Sequence, residues 1–277
     1  MSTTFSILCL GKVNVIHPSA LISSEAKVHE SANVGPWCVV EAGAKIAENV
    51  VLDVRVHVFG DTSIGAGTRI FDGAVIGGDP QALKYKGEQT FLEIGENCTI
   101  REFTTLNRGC GENGITKIAN DVLIMAYSHV GHDCLLEQGV VISNGVQLGG
   151  HVKIGEFATI GGGTYVQQFA KIGAYSFAGG TLKIDRDVPP ASRALGDPAR
   201  FAGLNLHALR RCNFPEERIA LLEKNYRELY RSGRPAAEII SDFLSGKIEC
   251  DPFLSDFFKD FSGNLLSSPH GKSTGIL

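Results

Sequence analysis

Aliphatic residues recur at every sixth position over most of this chain. Counted from Ile16, the positions on this period are Ile, Leu or Val without a break as far as Ile76. The period returns in the same phase over 94–106 and again over 118–172. A helix places buried residues about every 3.6 positions and a flat strand about every 2, so neither element produces this pattern. The sequence therefore predicts a repetitive fold built from hexapeptides.

Two further positions of each hexapeptide are restricted. Glycine often follows the aliphatic residue, as at Gly35 and Gly131, and the fourth residue after the aliphatic is small, as at Ala26 and Cys98. Glycine tolerates the strained dihedral angles of a corner. We expect each hexapeptide to form one side and one corner of a triangular prism, so that eighteen residues make one coil. Successive coils then pair as parallel β-strands about 4.8 Å apart.

Two stretches interrupt the period without shifting its phase, near 78–92 and near 107–116. Insertions in a solenoid bulge from one side and often build its binding surface. The alternative is a tolerated surface loop. Lys84, Tyr85 and Lys86 bring positive charge to the first insertion on a slightly acidic chain, which favours a binding role.

The period is lost beyond residue 180, and the two prolines at 189–190 are expected to end the last coil. Apolar residues at helical spacing then predict a helix that starts near Pro215 and stops before Gly233. Two more helices are expected over roughly 235–245 and 251–261.

The predicted fold class is thus an all-β parallel solenoid followed by a small α-helical C-terminal domain. The solenoid is assigned to residues 1–190 and the helical domain to 191–265, with a flexible tail over 266–277. A chain of 277 residues is long enough for one large domain or two modest ones.

Charge and cysteine content narrow the functional classes. Lys and Arg number 26 against 30 Asp and Glu, a net charge of −4, which gives no general attraction to nucleic acid or to an anionic membrane. No stretch has the roughly 18 apolar residues that span a bilayer, and no signal peptide is evident. The seven scattered cysteines favour a reducing cytoplasm. Cys38, Cys98 and Cys134 occupy the small-residue position and are interpreted as buried structural thiols.

The eighteen-residue coil brings distant residues into vertical columns. Two columns carry side chains with acid–base chemistry: His132, Gly150 and Gln168 in the first, and Asp133, His151 and Phe169 in the second. Neighbours in a column are expected about 5 Å apart. The first column combines an imidazole, a backbone amide without side-chain cover and a carboxamide. The second places an imidazole one coil above a carboxylate.

Three interpretations of these residues are open on spacing alone. His129, His132, His151 and Asp133 could bind a metal ion, which needs three or four convergent ligands. They could instead be unrelated surface groups. They could also form a general-base site, in which one imidazole takes a proton, the carboxylate orients it and the Gly150 N–H holds an oxyanion. No Ser or Cys nucleophile accompanies the column, so the third interpretation implies direct attack by an acceptor group.

Several motifs occur in an order that resembles one enzyme family. They are PQALKYKGE, NRG, IMAYSHVGHDC, LGGHV, VQQFAKIGA, DVPP and LRR…F…YRSG, and they span roughly residues 15–260. They look like the UDP-N-acetylglucosamine 3-O-acyltransferases that begin lipid A synthesis, which are hexapeptide-repeat transferases. The resemblance implies a left-handed parallel β-helix and a homotrimer with its sites between subunits. It also implies that acyl carrier protein donates a 3-hydroxyacyl chain.

The resemblance further implies residue roles. His132 would be the base that deprotonates the sugar 3-hydroxyl, Asp133 would orient it, and the Gly150 N–H would stabilise the thioester oxyanion. Gly180 lies where a larger side chain shortens the acyl pocket in some relatives, which implies a longer chain here. Substrate contacts are implied at six more positions: Lys84, His129 and His151 for the sugar and diphosphate, and Gln168, Asn205 and Arg211 for the nucleotide or the donor arm.

Four positions depart from the family pattern. Ala82 replaces an Asp that contacts sugar hydroxyls, and Asn107 replaces a His before Arg-Gly. Gln167 replaces the His of a His-Gln-Phe motif, and Pro198 replaces a His that precedes the helical tail. The base and the oxyanion donor are retained, whereas the rim that contacts the acceptor is altered.

The predicted function is transfer of a 3-hydroxyacyl chain to the 3-position of UDP-N-acetylglucosamine in the cytoplasm, without a cofactor or metal ion. The altered rim leaves N-acyl transfer to a 3-amino analogue as an alternative. A non-catalytic solenoid is a second alternative. A zinc-dependent γ-carbonic anhydrase is a third; it shares the prism but needs three zinc histidines across a subunit interface and lacks the helical tail.

Overall fold

The chain forms a three-sided parallel β-helix followed by a helical region. A computed structural model describes residues 15–265, so the predicted tail over 266–277 lies outside the described residues. Each side of the prism is one sheet, and the sheets are called face 1, face 2 and face 3 below. Face 1 contains the strands Leu21–Ile22, Val39–Val40, His57–Val58, Val75–Gly78, Thr105–Asn107, His129–Val130, Gln147–Leu148, Tyr165–Val166 and Lys183–Ile184. Face 2 contains Lys27–Val28, Lys45–Ile46, Thr62–Ile64, Phe91–Ile94, Ile115–Ile118, Leu135–Leu136, Lys153–Ile154 and Lys171–Ile172. Face 3 contains Asn33–Val34, Val51–Leu52, Arg69–Ile70, Thr99–Ile100, Leu123–Ile124, Val141–Ile142, Thr159–Ile160, Phe177–Ala178, Ser192–Leu195 and Arg200–Leu204.

The pairing register confirms the eighteen-residue coil. On face 1, His129 pairs with Gln147, and Gln147 pairs with Tyr165. The two insertions lengthen this step, because Val75 pairs with Thr105 and Thr105 pairs with His129. These steps are thirty and twenty-four residues, so the insertions add twelve and six residues and leave every hexapeptide on its own face.

The aliphatic positions of the hexapeptide fill the interior of the prism. Ile76, Ile124 and Leu136 are fully buried. Burying a side chain of this size stabilises the fold by roughly 1.5–3 kcal/mol. The small-residue position is buried too, and burial raises the pKa of the Cys134 thiol to about 12. A thiol with so high a pKa is unreactive at neutral pH, which supports its structural interpretation.

The β-structure continues beyond the boundary predicted at residue 190. Ser192–Leu195 pairs in parallel with Phe177–Ala178, and Arg200–Leu204 then folds back antiparallel to Ser192–Leu195. The prolines at 189–190 do not end the sheet, because they lie between the bridge formed by Val188 and the strand that starts at Ser192. At these positions the sheet needs no hydrogen bond from a backbone N–H, which proline lacks.

Four helices follow within the described residues: α1 (Leu206–Arg211), α2 (Glu216–Arg231), α3 (Ala236–Leu244) and α4 (Pro252–Leu265). The three predicted helices correspond to α2, α3 and α4. The buried side of α2 carries Ile219, Leu222, Tyr226 and Leu229, as the helical spacing predicts. The sequence pattern does not predict α1, since six residues are too few to establish a helical period. In the described part of the chain, no helix combines the length and apolarity needed to cross a bilayer.

Candidate active site

The two insertions leave the prism at the corner between faces 1 and 2 and contact each other. Insertion 1 covers residues 79–90, and insertion 2 covers 108–114. Arg108, which starts insertion 2, donates to the Tyr85 hydroxyl (3.1 Å) and pairs with Asp79. The two insertions are therefore fixed against each other. Insertion 2 lies one coil before His132, and insertion 1 lies two coils before it.

His132 and Asp133 lie on the same corner, one coil after insertion 2. The Asp133 Oδ2 atom lies 2.7 Å from His132 Nδ1. Only 14% of each side chain is exposed. A carboxylate at Nδ1 favours the tautomer in which Nδ1 carries the proton, so Nε2 keeps the lone pair that a general base needs.

Asp133 is also held by groups outside the histidine. The Cys110 N–H of insertion 2 donates to both carboxylate oxygens, at 3.1 and 3.2 Å. The Asp133 N–H donates to Thr116 Oγ1 at 2.8 Å. Asp133 has a φ of 60°, a left-handed conformation that Asp adopts more readily than most residues. The surrounding backbone thus fixes the orientation of the carboxylate together with the imidazole.

Gly150 lies against the His132 ring, as the eighteen-residue step predicts. A Cβ atom added to Gly150 would lie 2.6 Å from both Cε1 and Nε2 of His132. Among the residues that the structure describes, the Gly150 N–H donates to no protein acceptor. The basic nitrogen and an unused backbone donor are therefore close neighbours.

His151 packs beside this pair. Its ring meets His132 edge-on, with centroids 5.0 Å apart, and stacks on Phe169 at 4.5 Å. Burial lowers the pKa of His151; the Asp133 carboxylate opposes this change, and the electrostatic effect of the neighbouring His132 and Lys84 adds to it. Lys84 is thus near enough to the cluster to act on it electrostatically, although it belongs to insertion 1.

A groove of about 530 Å³ opens at this corner along face 1. His129, His132, Gly150 and Gln168 line it, as expected for site residues. A larger groove of about 720 Å³ on face 2 contains none of the predicted residues, so size alone does not identify the site. Three lining residues were not among the predicted site residues, although they follow His129 at successive eighteen-residue steps: Gln147, Tyr165 and Lys183.

Six predicted site residues do not line the groove. Asp133, His151 and Lys84 act on the cluster around His132 from beside the groove, as described above, whereas the other three lie away from this cluster. Asn205 is the N-cap of α1: its Oδ1 accepts from the Ala208 N–H (3.4 Å), and its Nδ2 donates to the Tyr175 carbonyl (2.9 Å). Arg211 is exposed in the last turn of α1. Gly180 lies at a corner where an added Cβ would meet the Gly162 carbonyl oxygen at 3.1 Å. Their roles stay predictions, which require a neighbouring subunit to complete the site.

The departures from the family pattern have different environments. Gln167 lines the groove, whereas Ala82 lies in insertion 1. Asn107 also lines the groove and is buried; its Nδ2 donates to the Asp79 carbonyl at 2.8 Å and to the Gly78 carbonyl at 3.3 Å. Its Oδ1 is buried and has no hydrogen-bond partner in the described part of the chain. Asn107 therefore connects insertion 1 to the floor of the groove.

One nitrogen or oxygen atom from each of His132, Asp133 and His151 lies within 4.8 Å of the others, closer than the sequence argument expected. Two ligands of a tetrahedral zinc ion, each about 2.0–2.1 Å from it, would lie roughly 3.3 Å apart. The observed 2.7 Å between His132 Nδ1 and Asp133 Oδ2 is instead a hydrogen-bond distance. The arrangement fits a histidine–carboxylate pair better than a zinc site.

Buried histidines predict a pH-dependent stability. Burial lowers the pKa of His129, whose Nδ1 contacts Thr105 Oγ1 at 2.7 Å, and it lowers that of His151. Both therefore stay neutral in the folded protein at a pH where unfolded histidines, with pKa about 6.5, take up protons. Their contribution is complete above pH about 6.5 and is lost as the pH falls through the folded pKa.

We expect the melting temperature to fall between pH 7.5 and 5.5, and His129→Gln to reduce that fall by an amount on the order of a few degrees. Differential scanning calorimetry of both proteins measures it. At pH 8 the histidine is neutral in both the folded and the unfolded protein. The difference in melting temperature between the two proteins at that pH therefore measures only the loss of the contact with Thr105. An unchanged pH slope in His129→Gln would contradict the assignment.

Two family models match the chain. "Bacterial transferase hexapeptide (six repeats)" matches residues 115–150, and "Udp N-acetylglucosamine O-acyltransferase; Domain 2" matches 187–259. The second match covers the helical region together with the antiparallel strand that precedes it.

Curated relatives match over most of their length. The acyl-[acyl-carrier-protein]–UDP-N-acetylglucosamine O-acyltransferase of Verminephrobacter eiseniae is 44% identical over 219 residues, 79% of this chain and 84% of the relative. The enzyme of the same name from Sinorhizobium fredii is 37% identical over 94% of this chain and 97% of its own.

Solved structures agree with these relatives. The UDP-N-acetylglucosamine acyltransferase of Francisella novicida has a TM-score of 0.87 at 32% identity, covering 95% of this chain and 94% of that one. The corresponding acyltransferase of Bacteroides fragilis has a TM-score of 0.86 at 31% identity, covering 95% and 100%. These likenesses confirm the predicted fold class, a left-handed β-helix with a C-terminal helical domain. The chain belongs to the family of acyl-[acyl-carrier-protein]–UDP-N-acetylglucosamine O-acyltransferases.

Proposed function

We propose that this protein transfers a 3-hydroxyacyl chain from acyl carrier protein to the 3-hydroxyl of UDP-N-acetylglucosamine, the first step of lipid A synthesis. One observation carries the proposal: His132 Nε2 lies against Gly150 in the groove, while Asp133 holds Nδ1 from behind. The names of the curated relatives support the choice of donor and acceptor.

The chemistry follows from this geometry. Nε2 of His132 takes the proton of the sugar 3-hydroxyl as the oxygen attacks the thioester carbonyl. The negative charge that forms on the carbonyl oxygen is stabilised by the Gly150 N–H. When the tetrahedral intermediate collapses, the C–S bond breaks, and the imidazolium returns its proton to the leaving thiolate. Asp133 stabilises the imidazolium between these two proton transfers, and no covalent enzyme intermediate forms.

The groove supplies the remaining contacts. His129 and Gln168 line it beside the base, and Lys84 brings positive charge toward the site from insertion 1. A cation there suits the diphosphate of a nucleotide sugar. We place the remaining predicted contacts, including Asn205 and Arg211, on a neighbouring subunit of a homotrimer, because neither lines this chain's own groove.

The proposed reaction needs no cofactor or metal ion, because proton transfer and oxyanion stabilisation both come from the chain. It takes place in the cytoplasm, where acyl carrier protein is available.

A mass-spectrometric assay tests the proposal directly. Purified protein is incubated with UDP-N-acetylglucosamine and a series of 3-hydroxyacyl carrier protein thioesters that differ in chain length, with and without EDTA. We expect a product heavier than the acceptor by one acyl group, in equal yield with EDTA. Cleavage of the product by mild base identifies an ester and distinguishes it from an amide.

The same assay includes the 3-amino analogue of the acceptor. Preferential amide formation on that analogue would replace the proposed acceptor with the amino sugar. Loss of turnover in EDTA that zinc restores would favour a metal enzyme. Absence of any acylated product with every donor would refute acyl transfer.

A further inference from the structure

The orientation of the catalytic carboxylate depends on insertion 2. Asp133 accepts the Cys110 N–H on both oxygens, so a displacement of Cys110 would free the carboxylate to rotate away from His132. The chain at Gly111 has a φ of 91°, and a Cβ added there would meet no atom within 4 Å. Side-chain packing therefore does not hold the chain at the residue that follows Cys110.

Two hydrogen bonds hold that point: the Gly114 N–H donates to the Gly111 carbonyl at 2.9 Å within insertion 2, and a carboxylate of insertion 1 accepts the Gly111 N–H. Glu88 of insertion 1 accepts the Gly111 N–H on Oε1 at 2.9 Å, and it accepts the Lys86 N–H on Oε2 at 2.8 Å. These backbone donors lower the pKa of Glu88, with the Lys86 N–H contributing most. Glu88 is consequently charged at neutral pH, and each of its oxygens is committed to one of the two insertions.

The other contacts between the insertions lie elsewhere. Arg108 fixes the start of insertion 2 through Asp79 and Tyr85, and the Gly109 N–H donates to the Phe91 carbonyl at 3.0 Å. Neither contact reaches the peptide between Cys110 and Gly111. The bond from Gly111 to Glu88 is thus the contact with insertion 1 that lies closest to the amide that holds Asp133.

We propose that Glu88 is a positioning residue for the reaction: it fixes insertion 2 so that the Cys110 N–H keeps Asp133 in the orientation that His132 requires. This inference rests on the proposed function for its kinetic consequence, but the physical coupling does not depend on the substrate. Glu88 itself contacts neither His132 nor Asp133 through any hydrogen bond in the described structure.

The kinetic test uses Glu88→Ala and Glu88→Gln, alone and combined with Asp133→Asn. Losing the charge-assisted bond to Gly111 should lower kcat about tenfold in Glu88→Ala, the scale of one such bond. Glu88→Gln can keep only one of the two acceptors and should fall between Glu88→Ala and the parent. In the Asp133→Asn background, Glu88→Ala should cause little additional loss, because the carboxylate it positions is already gone.

The control is Glu112→Gln, which removes an exposed charge from insertion 2 and should leave kcat unchanged. Equal losses for Glu88→Ala in both backgrounds, or a change in KM alone, would overturn the positioning role. Calorimetry checks that each variant is folded, and Glu88→Gln carries the comparison if Glu88→Ala is not.

Hydrogen exchange measures the coupling without any substrate. Peptides that cover 107–116 should exchange faster in Glu88→Ala than in the parent and in Glu112→Gln. Unchanged exchange in this segment would refute the proposal even if the enzyme is active. If the parent protein transfers no acyl group but its exchange responds to Glu88 as expected, the assignment of function fails and the structural coupling stands.

Discussion

Replacing His132 with alanine should lower kcat for acyl transfer by at least about a hundredfold, the lower end of what a positioned general base contributes. The imidazole is the one group in the groove whose Nδ1 is held by a carboxylate and whose Nε2 adjoins an unused backbone donor, within the described residues. Without it, the sugar hydroxyl has no acceptor for its proton. Because His132 lies at an outer corner and not in the aliphatic interior, the fold should be unaffected.

Steady-state kinetics of the purified variant measure the effect, and gel filtration and calorimetry verify its assembly and stability. His57→Ala is the matched control. His57 is likewise paired with a carboxylate, Glu41, but it lies on face 1 several coils away and outside the groove. We expect its kcat to equal that of the parent. Full activity in His132→Ala would eliminate the general-base mechanism.

Replacing Gly150 with alanine should also reduce kcat by about a hundredfold or more. The added methyl carbon would lie 2.6 Å from two atoms of the His132 ring, so the ring must move. Movement breaks the 2.7 Å contact with Asp133 and separates Nε2 from the Gly150 N–H. A misplacement of about 1 Å in a catalytic group can cost a hundredfold in rate. The peptide N–H is retained, so the loss would report geometry and not removal of a donor.

Two comparisons make this result specific. Gly78→Ala adds the same methyl group on face 1, where its nearest neighbour would be 3.7 Å away, and should be nearly as active as the parent. Gly150→Ala combined with His132→Ala should be no slower than His132→Ala alone, because the displaced ring is absent. An additional large loss in the double variant would show that Gly150 is needed for a reason other than its contact with His132.

The regularity of the hexapeptide explains why so much was predictable. Once eighteen residues make one coil, the neighbours His132 and Gly150 follow from counting, and the parallel ladder leaves little freedom in their separation. The same count would also have placed Gln147 and Tyr165 beside His129. They were not predicted because the columns considered began at His132 and Asp133, and the column above His129 was not extended.

The residues that the sequence could not place lie where the period is interrupted. Nothing in the spacing indicates that Cys110 donates its N–H to Asp133, because a loop path is set by its own turns and contacts. The same limit applies to the strand Arg200–Leu204. It pairs antiparallel to its neighbour, whereas the hexapeptide repeat predicts only parallel pairing between coils. Sites divided between subunits are a further limit, since one chain does not specify the surface of its neighbour.

The rigid vertical step of the prism constrains how such an enzyme can diversify. Backbone hydrogen bonds between adjacent strands fix the spacing of His129, Gln147, Tyr165 and Lys183, so no hinge motion can bring two of them closer. A new substrate must therefore be accommodated by replacing one of these side chains with a longer or shorter one. Preference for substrates of different size would accordingly change by discrete amounts between relatives, with the scaffold left as it is.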